Sequence, residues 1–117
     1  MNYWAYMNHP LNHQKCKPCE GIGDKLSKKE IKNLSKQVRG WNLSKKNYLT
    51  KAFLFKNFKD ALAFTNSIGK LAEKEGHHPD IKFGWGYVEI NLTTHALKGL
   101  SMNDFIMASK INTLRKK

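Results

Sequence analysis

Acid is scarce in this chain. Its 117 residues carry nine Asp and Glu against 21 Lys and Arg, a formal net charge of +12. The imbalance is local, because Lys25 to Lys59 holds eleven basic side chains and one acid, Glu30. Such a stretch attracts anionic partners in general. Few aromatics interleave with those lysines as stacking platforms, so a solvated basic face is expected, with no specific nucleic-acid partner. Long apolar runs are also missing. None approaches the roughly 20 residues that span a bilayer, so no membrane partner is expected. Internal repeats and low-complexity segments are absent as well.

Cysteine occurs only twice, in Cys16-Lys17-Pro18-Cys19. With His9 and His13 upstream, the spacing H-x3-H-x2-C-x2-C supplies four potential zinc ligands. The order is not a common finger order and no hydrophobic mini-core surrounds it. Two reduced thiols and no metal are the expectation there. Residues 1–15 carry no acid, one lysine and no arginine. They lack the apolar core of a secretory signal and the arginines of a transit peptide, which points to the cytoplasm. Tyr3, Trp4 and Tyr6 are nonetheless apolar enough to pack on the domain or on a neighbouring subunit.

What is present is an ordinary globular composition, 40% hydrophobic and 26% charged, in a chain long enough for one modest core. The expected organisation is an N-terminal extension over 1–24 and a single domain over 25–117. Ser27 with Glu30 forms a capping box, opening a helix with Ile31, Leu34 and Val38 on one side and Gly40 at its end. Trp41–Leu43 and Tyr48–Phe55 read as two strands. Asn57 caps a second helix, with Ala61, Phe64, Ile68, Leu71 and Ala72 apolar. Ile81–Trp85 and Gly86–Thr94 read as two more strands, the latter alternating Val88, Ile90 and Leu92 with polar residues. Ser101 with Asp104 forms a second capping box, opening a helix to about Leu114. The order α-β-β-α-β-β-α with short connections predicts an α+β domain: a four-stranded antiparallel sheet with helices on one face.

Three of the five histidines fall between Glu73 and Asp104. Gly76 terminates the second helix, since a residue without Cβ takes the left-handed conformation at little cost. His77 and His78 follow at once, and Pro79 pushes His78 into an extended conformation. His95 ends the fourth strand. Glu73, one turn before His77, is a carboxylate close enough to orient an imidazole. Asp104 is suited both to cap its helix and to partner a histidine. Histidines with a carboxylate at element ends are what proton transfer near neutral pH requires.

The set Glu73, His77-His78-Pro79, Thr94-His95, Gly99-Leu100-Ser101 and Asp104 resembles the signature of the pterin-4a-carbinolamine dehydratases. The resemblance extends more loosely upstream through Trp41 and the second helix, and leaves about the first dozen residues uncovered. It implies the α+β fold just described, assembled as a homodimer or homotetramer. It also implies a hydro-lyase that dehydrates 4a-hydroxytetrahydrobiopterin to quinonoid dihydropterin, recycling the cofactor of aromatic amino acid hydroxylases. The matched positions then take roles. His77 and His95 do the acid–base work, and His78 binds and orients the pterin. Glu73 sets the charge or tautomer of its neighbouring imidazole, and Pro79, Thr93, Thr94 and Asp104 line or support the site. No cofactor and no metal are implied. Gly76 and Ile81 depart from the family pattern, where some members carry an acid and an aromatic. Two other classes compete. One is a metal protein ligating through Glu73, His77, His78 and His95, against which the diverging directions of the adjacent histidines argue. The other is a non-enzymatic protein-binding module, since some relatives act as transcriptional cofactors.

Overall fold

The computed structural model describes residues 10–16 and 25–115. Three helices, α1 (Lys28–Ser35), α2 (Phe58–Glu75) and α3 (Met102–Leu114), accompany four strands. These are β1 (Asn42–Leu43), β2 (Leu49–Leu54), β3 (Asp80–Gly84) and β4 (Tyr87–Leu92). All neighbouring strands pair antiparallel, in the spatial order β1-β2-β4-β3. The chain leaves β2 through α2, lays β3 at the far edge, and returns by a hairpin to place β4 in the centre. The two-residue turn Trp85–Gly86 makes that hairpin, with Gly86 at φ 83°, a conformation side chains avoid.

Period-two burial gives the sheet one covered face. Leu49 and Phe53 of β2 stand opposite Leu92 and Val88 of β4, and all four are buried. The interior continues through Ala61, Phe64, Ile68 and Ala72 of α2 and Phe105, Ile106, Ala108 and Ile111 of α3. On α2 these are the apolar positions that helical spacing selects, whereas the first half of α3 is buried on every side, Met107 included. Leu34 and Val38 close the core from the α1 side, although α1 itself stops at Ser35 and Val38 lies in the following turn. The helix ends one turn before Gly40, which sits at φ 82° beside Lys51. Both expected capping residues are in place at the first two helices, with Glu30 N–H donating to Ser27 Oγ and Asp60 N–H to Asn57 Oδ1. No described helix is long and apolar enough to cross a membrane.

Leu11 belongs to the same interior. It is 2% exposed, in a short 3-10 turn, Leu11–His13, that rests against α3. The segment Pro10–Cys16 is thereby built onto the domain, while Tyr3, Trp4 and Tyr6 lie outside the described residues.

Candidate active site

Three element ends converge to make the site. The first is the C-terminus of α2. Gly76 takes φ 68° and its N–H closes on the Ala72 carbonyl at 2.9 Å. A Cβ there would meet nothing within 4 Å, so glycine is required by the backbone angle and not by space. The left-handed residue turns the chain sharply, and Pro79 then leads it extended into β3. His77 is directed inward and is buried; His78 is directed outward.

The second end is the N-terminus of α3. Asp104 occupies its first turn with no exposed surface, where the helix dipole favours a negative charge. Its carboxylate has three partners. Oδ1 lies 2.6 Å from His77 Nε2, and Oδ2 accepts from the Ser101 N–H at 2.9 Å and the Thr94 hydroxyl at 2.8 Å. A carboxylate only accepts, so Nε2 is the protonated nitrogen of His77 and Nδ1 is left for other work. Thr94 spends its one proton on Asp104, so Ser101 Oγ, 2.7 Å away, donates to Thr94.

The third end follows β4. The strand stops at Leu92, and Thr94 and Gly99 form an isolated bridge around the turn His95–Leu97. His95 opens that turn with its ring exposed, edge-on to Tyr48 at 6.5 Å between centroids. Thr94 bonds Asp104, and Asp104 bonds His77. The His95 backbone is therefore tied to the His77 ring through two hydrogen bonds. Thr93 is half-buried, its hydroxyl 3.4 Å from the Gly99 carbonyl.

Glu73 pairs with His78, Oε2 to Nε2 at 2.5 Å, at the surface. Its place one turn before His77 in sequence does not decide its partner. The left-handed Gly76 swings His78 back over the last turn of α2 and sends His77 beneath it. Pro79 is half-buried beside them. The structure thus brings His77, Thr94 and Asp104 into one hydrogen-bonded group, sets Glu73 with His78 as a second, and leaves the His95 ring exposed beside Tyr48. Two broad surface grooves elsewhere, about 780 and 540 Å³, contain none of these residues.

Of the four potential zinc ligands, His9 and Cys19 lie outside the described residues. Cys16 sits against the end of α2, where burial pushes its thiol up to about 12, with the Glu75 carboxylate adding to the rise. Among the described residues no group of three His, Cys, Asp or Glu side chains is arranged to hold an ion.

Sequence reasoning missed Glu75. Its side chain is 3% exposed and pairs with Lys110 Nζ at 3.2 Å. Burial alone would raise its carboxyl, but the Cys16 N–H and Lys110 together hold it below the usual range. One signal was available. A glutamate in the last turn of a helix opposes the dipole, and such a local conflict often marks a residue held by tertiary contacts.

Comparison with known proteins identifies the family and the fold. The family profile described as pterin 4 alpha carbinolamine dehydratase matches residues 24–114. A protein of Rubrobacter xylanophilus named for pterin-4-alpha-carbinolamine dehydratase is 42% identical over 104 residues, 89% of this chain and 97% of its own. A protein of the same name from Alkaliphilus metalliredigens is 48% identical over 103 residues, 87% of this chain and 93% of its own. One from Legionella pneumophila is 44% identical and covers 92% of this chain and 97% of its own. Residues 24–117 alone could not supply that share of this chain, so the likeness continues into the N-terminal segment. Among solved structures, a transcriptional coactivator/pterin dehydratase from Brucella melitensis superposes with a TM-score of 0.74 at 29% identity. It covers 78% of this chain and 98% of its own. A pterin dehydratase-like RuBisCO assembly factor of the alpha-carboxysome gives 0.58 at 28% identity, covering 68% and 93%. By sequence and by fold, this chain belongs to the pterin-4a-carbinolamine dehydratase family.

Proposed function

We propose that the protein dehydrates a tetrahydropterin that carries a hydroxyl at C4a, using its histidines and no metal. In this reaction the C4a–O bond breaks and the hydroxyl leaves as water with a proton supplied by an acid. A base removes a proton from a ring nitrogen, and that electron pair closes the new C=N bond. Nothing is oxidised or reduced, so two imidazoles suffice. The observation that carries the reading is the buried His77–Asp104 pair. Asp104 fixes the ring and its tautomer, which turns Nδ1 of His77 into a single-purpose proton site. His95, tethered through Thr94 to the same carboxylate, is the complementary acid–base group. His78, steadied by Glu73, binds and orients the pterin, with Pro79 and Thr93 beside it.

The same reading makes the protein a cytoplasmic homodimer or homotetramer that serves an aromatic amino acid hydroxylase and has no sequence-specific nucleic-acid partner. A binding role without turnover is the second reading, favoured by the functions named for the two structural neighbours. The deciding experiment is an assay of 4a-hydroxytetrahydropterin dehydration by the full chain, with and without EDTA. Turnover that is indifferent to the chelator is expected. Activity lost to EDTA and restored by zinc would replace histidine catalysis with metal chemistry. An inert protein that binds a partner would favour the second reading.

A further inference from the structure

Glu75 ends α2 with its side chain almost wholly buried, at the helix terminus least hospitable to a negative charge. Three segments meet on it. Oε1 accepts the Cys16 N–H at 2.9 Å, and Oε2 pairs with Lys110 of α3 at 3.2 Å. Cys16 in turn donates its thiol proton to the Asn103 carbonyl at 3.6 Å. The two ends of this arrangement fall beside the two halves of the buried pair. Glu75 precedes His77 by two residues, across the left-handed Gly76, and Asn103 immediately precedes Asp104.

A buried ion pair is a poor source of net stability, because desolvating both charges costs about as much as their attraction returns. Two well-packed apolar side chains would hold α2 to α3 equally well. What a bidentate carboxylate adds is geometry, since it fixes a helix end in two directions at once. A hydrogen bond of 2.6 Å between His77 and Asp104 tolerates little displacement of either element. The dehydration chemistry uses neither Glu75 nor Cys16.

We propose that Glu75 is a positioning residue for His77, and that the segment Pro10–Cys16, with Lys110, forms a clamp registering the end of α2 against the start of α3. The N-terminal segment is then part of the site's architecture, although it precedes the span matched by the family profile. The activity part of this inference rests on the dehydratase reading; the structural part does not.

Two full-chain variants test it. Glu75→Gln keeps an acceptor for the Cys16 N–H and removes the charge, and Lys110→Met keeps the stem and removes the other charge. Val38→Ala is the control, a buried residue outside the site whose loss lowers stability alone. Nuclear magnetic resonance of the ring nitrogens should show His77 displaced in both charge variants, with His78 unmoved and Val38→Ala like wild type. In the dehydration assay kcat should fall roughly 10-fold with KM nearly constant, within the ~100-fold that a 1 Å misplacement costs. If a single variant fails to fold, the Glu75→Gln/Lys110→Met double variant, which leaves no charge unpaired, takes its place. Unchanged His77 signals would overturn the proposal, as would an equal displacement in Val38→Ala. Should the wild type turn over no pterin, the dehydratase reading fails while the His77 signals still decide the clamp.

Discussion

Two histidine–carboxylate pairs stand side by side in this protein, and they differ in almost everything except their length. His77–Asp104 spans 2.6 Å with side chains 7% and 0% exposed; His78–Glu73 spans 2.5 Å with side chains 61% and 78% exposed. Water competes for every hydrogen bond of the outer pair, and exposed ion pairs contribute only about 0–1 kcal/mol. The inner carboxylate is buried among three donors. Removing it leaves the His77 Nε2 and the Ser101 N–H without the acceptor they share, while the Thr94 hydroxyl keeps only Ser101 Oγ. Distance alone does not measure an interaction. The comparison also separates two settings: the inner pair holds one imidazole in a single tautomer and orientation, while the outer pair leaves its imidazole at the surface.

The largest expected effect breaks the inner pair. Asp104→Ala orphans His77 Nε2 and the Ser101 N–H and leaves the Thr94 hydroxyl only Ser101 Oγ, and should destabilise the fold by about 3 kcal/mol or more. Glu73→Gln, the matching change outside, should cost less than about 1 kcal/mol. Urea unfolding of both variants measures the contrast, and equal losses would erase the distinction drawn here.

Activity should divide along the same line. His77→Ala and His95→Ala are each expected to lower kcat by at least about 100-fold, the size of one acid–base contribution. His78→Ala should act mainly on KM, as befits binding energy shared by ground and transition states. Steady-state kinetics on the three variants suffice, and near-normal kcat in His77→Ala would refute the acid–base assignment.

The smallest effect concerns the third carboxylate. Burial opposes ionisation of Glu75, yet Cys16 and Lys110 depress its carboxyl overall. A depressed carboxyl stabilises the fold fully above its unfolded-chain value and loses that contribution as pH falls through its folded-state value. Wild-type protein should therefore lose stability on acidification below the usual glutamate range more steeply than Glu75→Gln. Melting temperatures from neutral pH downward in acid give the comparison, and parallel curves would remove Glu75 from the acid response.

Much of this was legible because it is local. Gly76 before His77-His78-Pro79 dictates a left-handed stop and a divergent pair of rings from backbone sterics alone. Ser27 with Glu30, Asn57, and the alternation of Val88, Ile90 and Leu92 carry their own geometry in their spacing. Local rules reach less far where a partner is distant in sequence. Helical spacing carries the apolar pattern on to Val38, yet α1 ends at Ser35, because Val38 is held by the core and not by the helix. His95 begins a 3-10 turn because Thr94 pairs with Gly99, a bridge that strand alternation does not encode. Glu73 meets His78 because of the sharp reversal at Gly76.

The sequence by itself determined the helices and strands, the starts of all three helices, the end of α2 at Gly76, the antiparallel class of the sheet and the presence of a histidine cluster, since each depends on residues within a few positions of one another. Only the tertiary structure decided that β4 lies between β2 and β3, that Asp104 takes His77, and that Glu75 is gripped by Cys16 and Lys110. Those pairings join residues 27, 59 and 35 positions apart. At such separations the partner is selected by how the whole core packs, and no local signal names it.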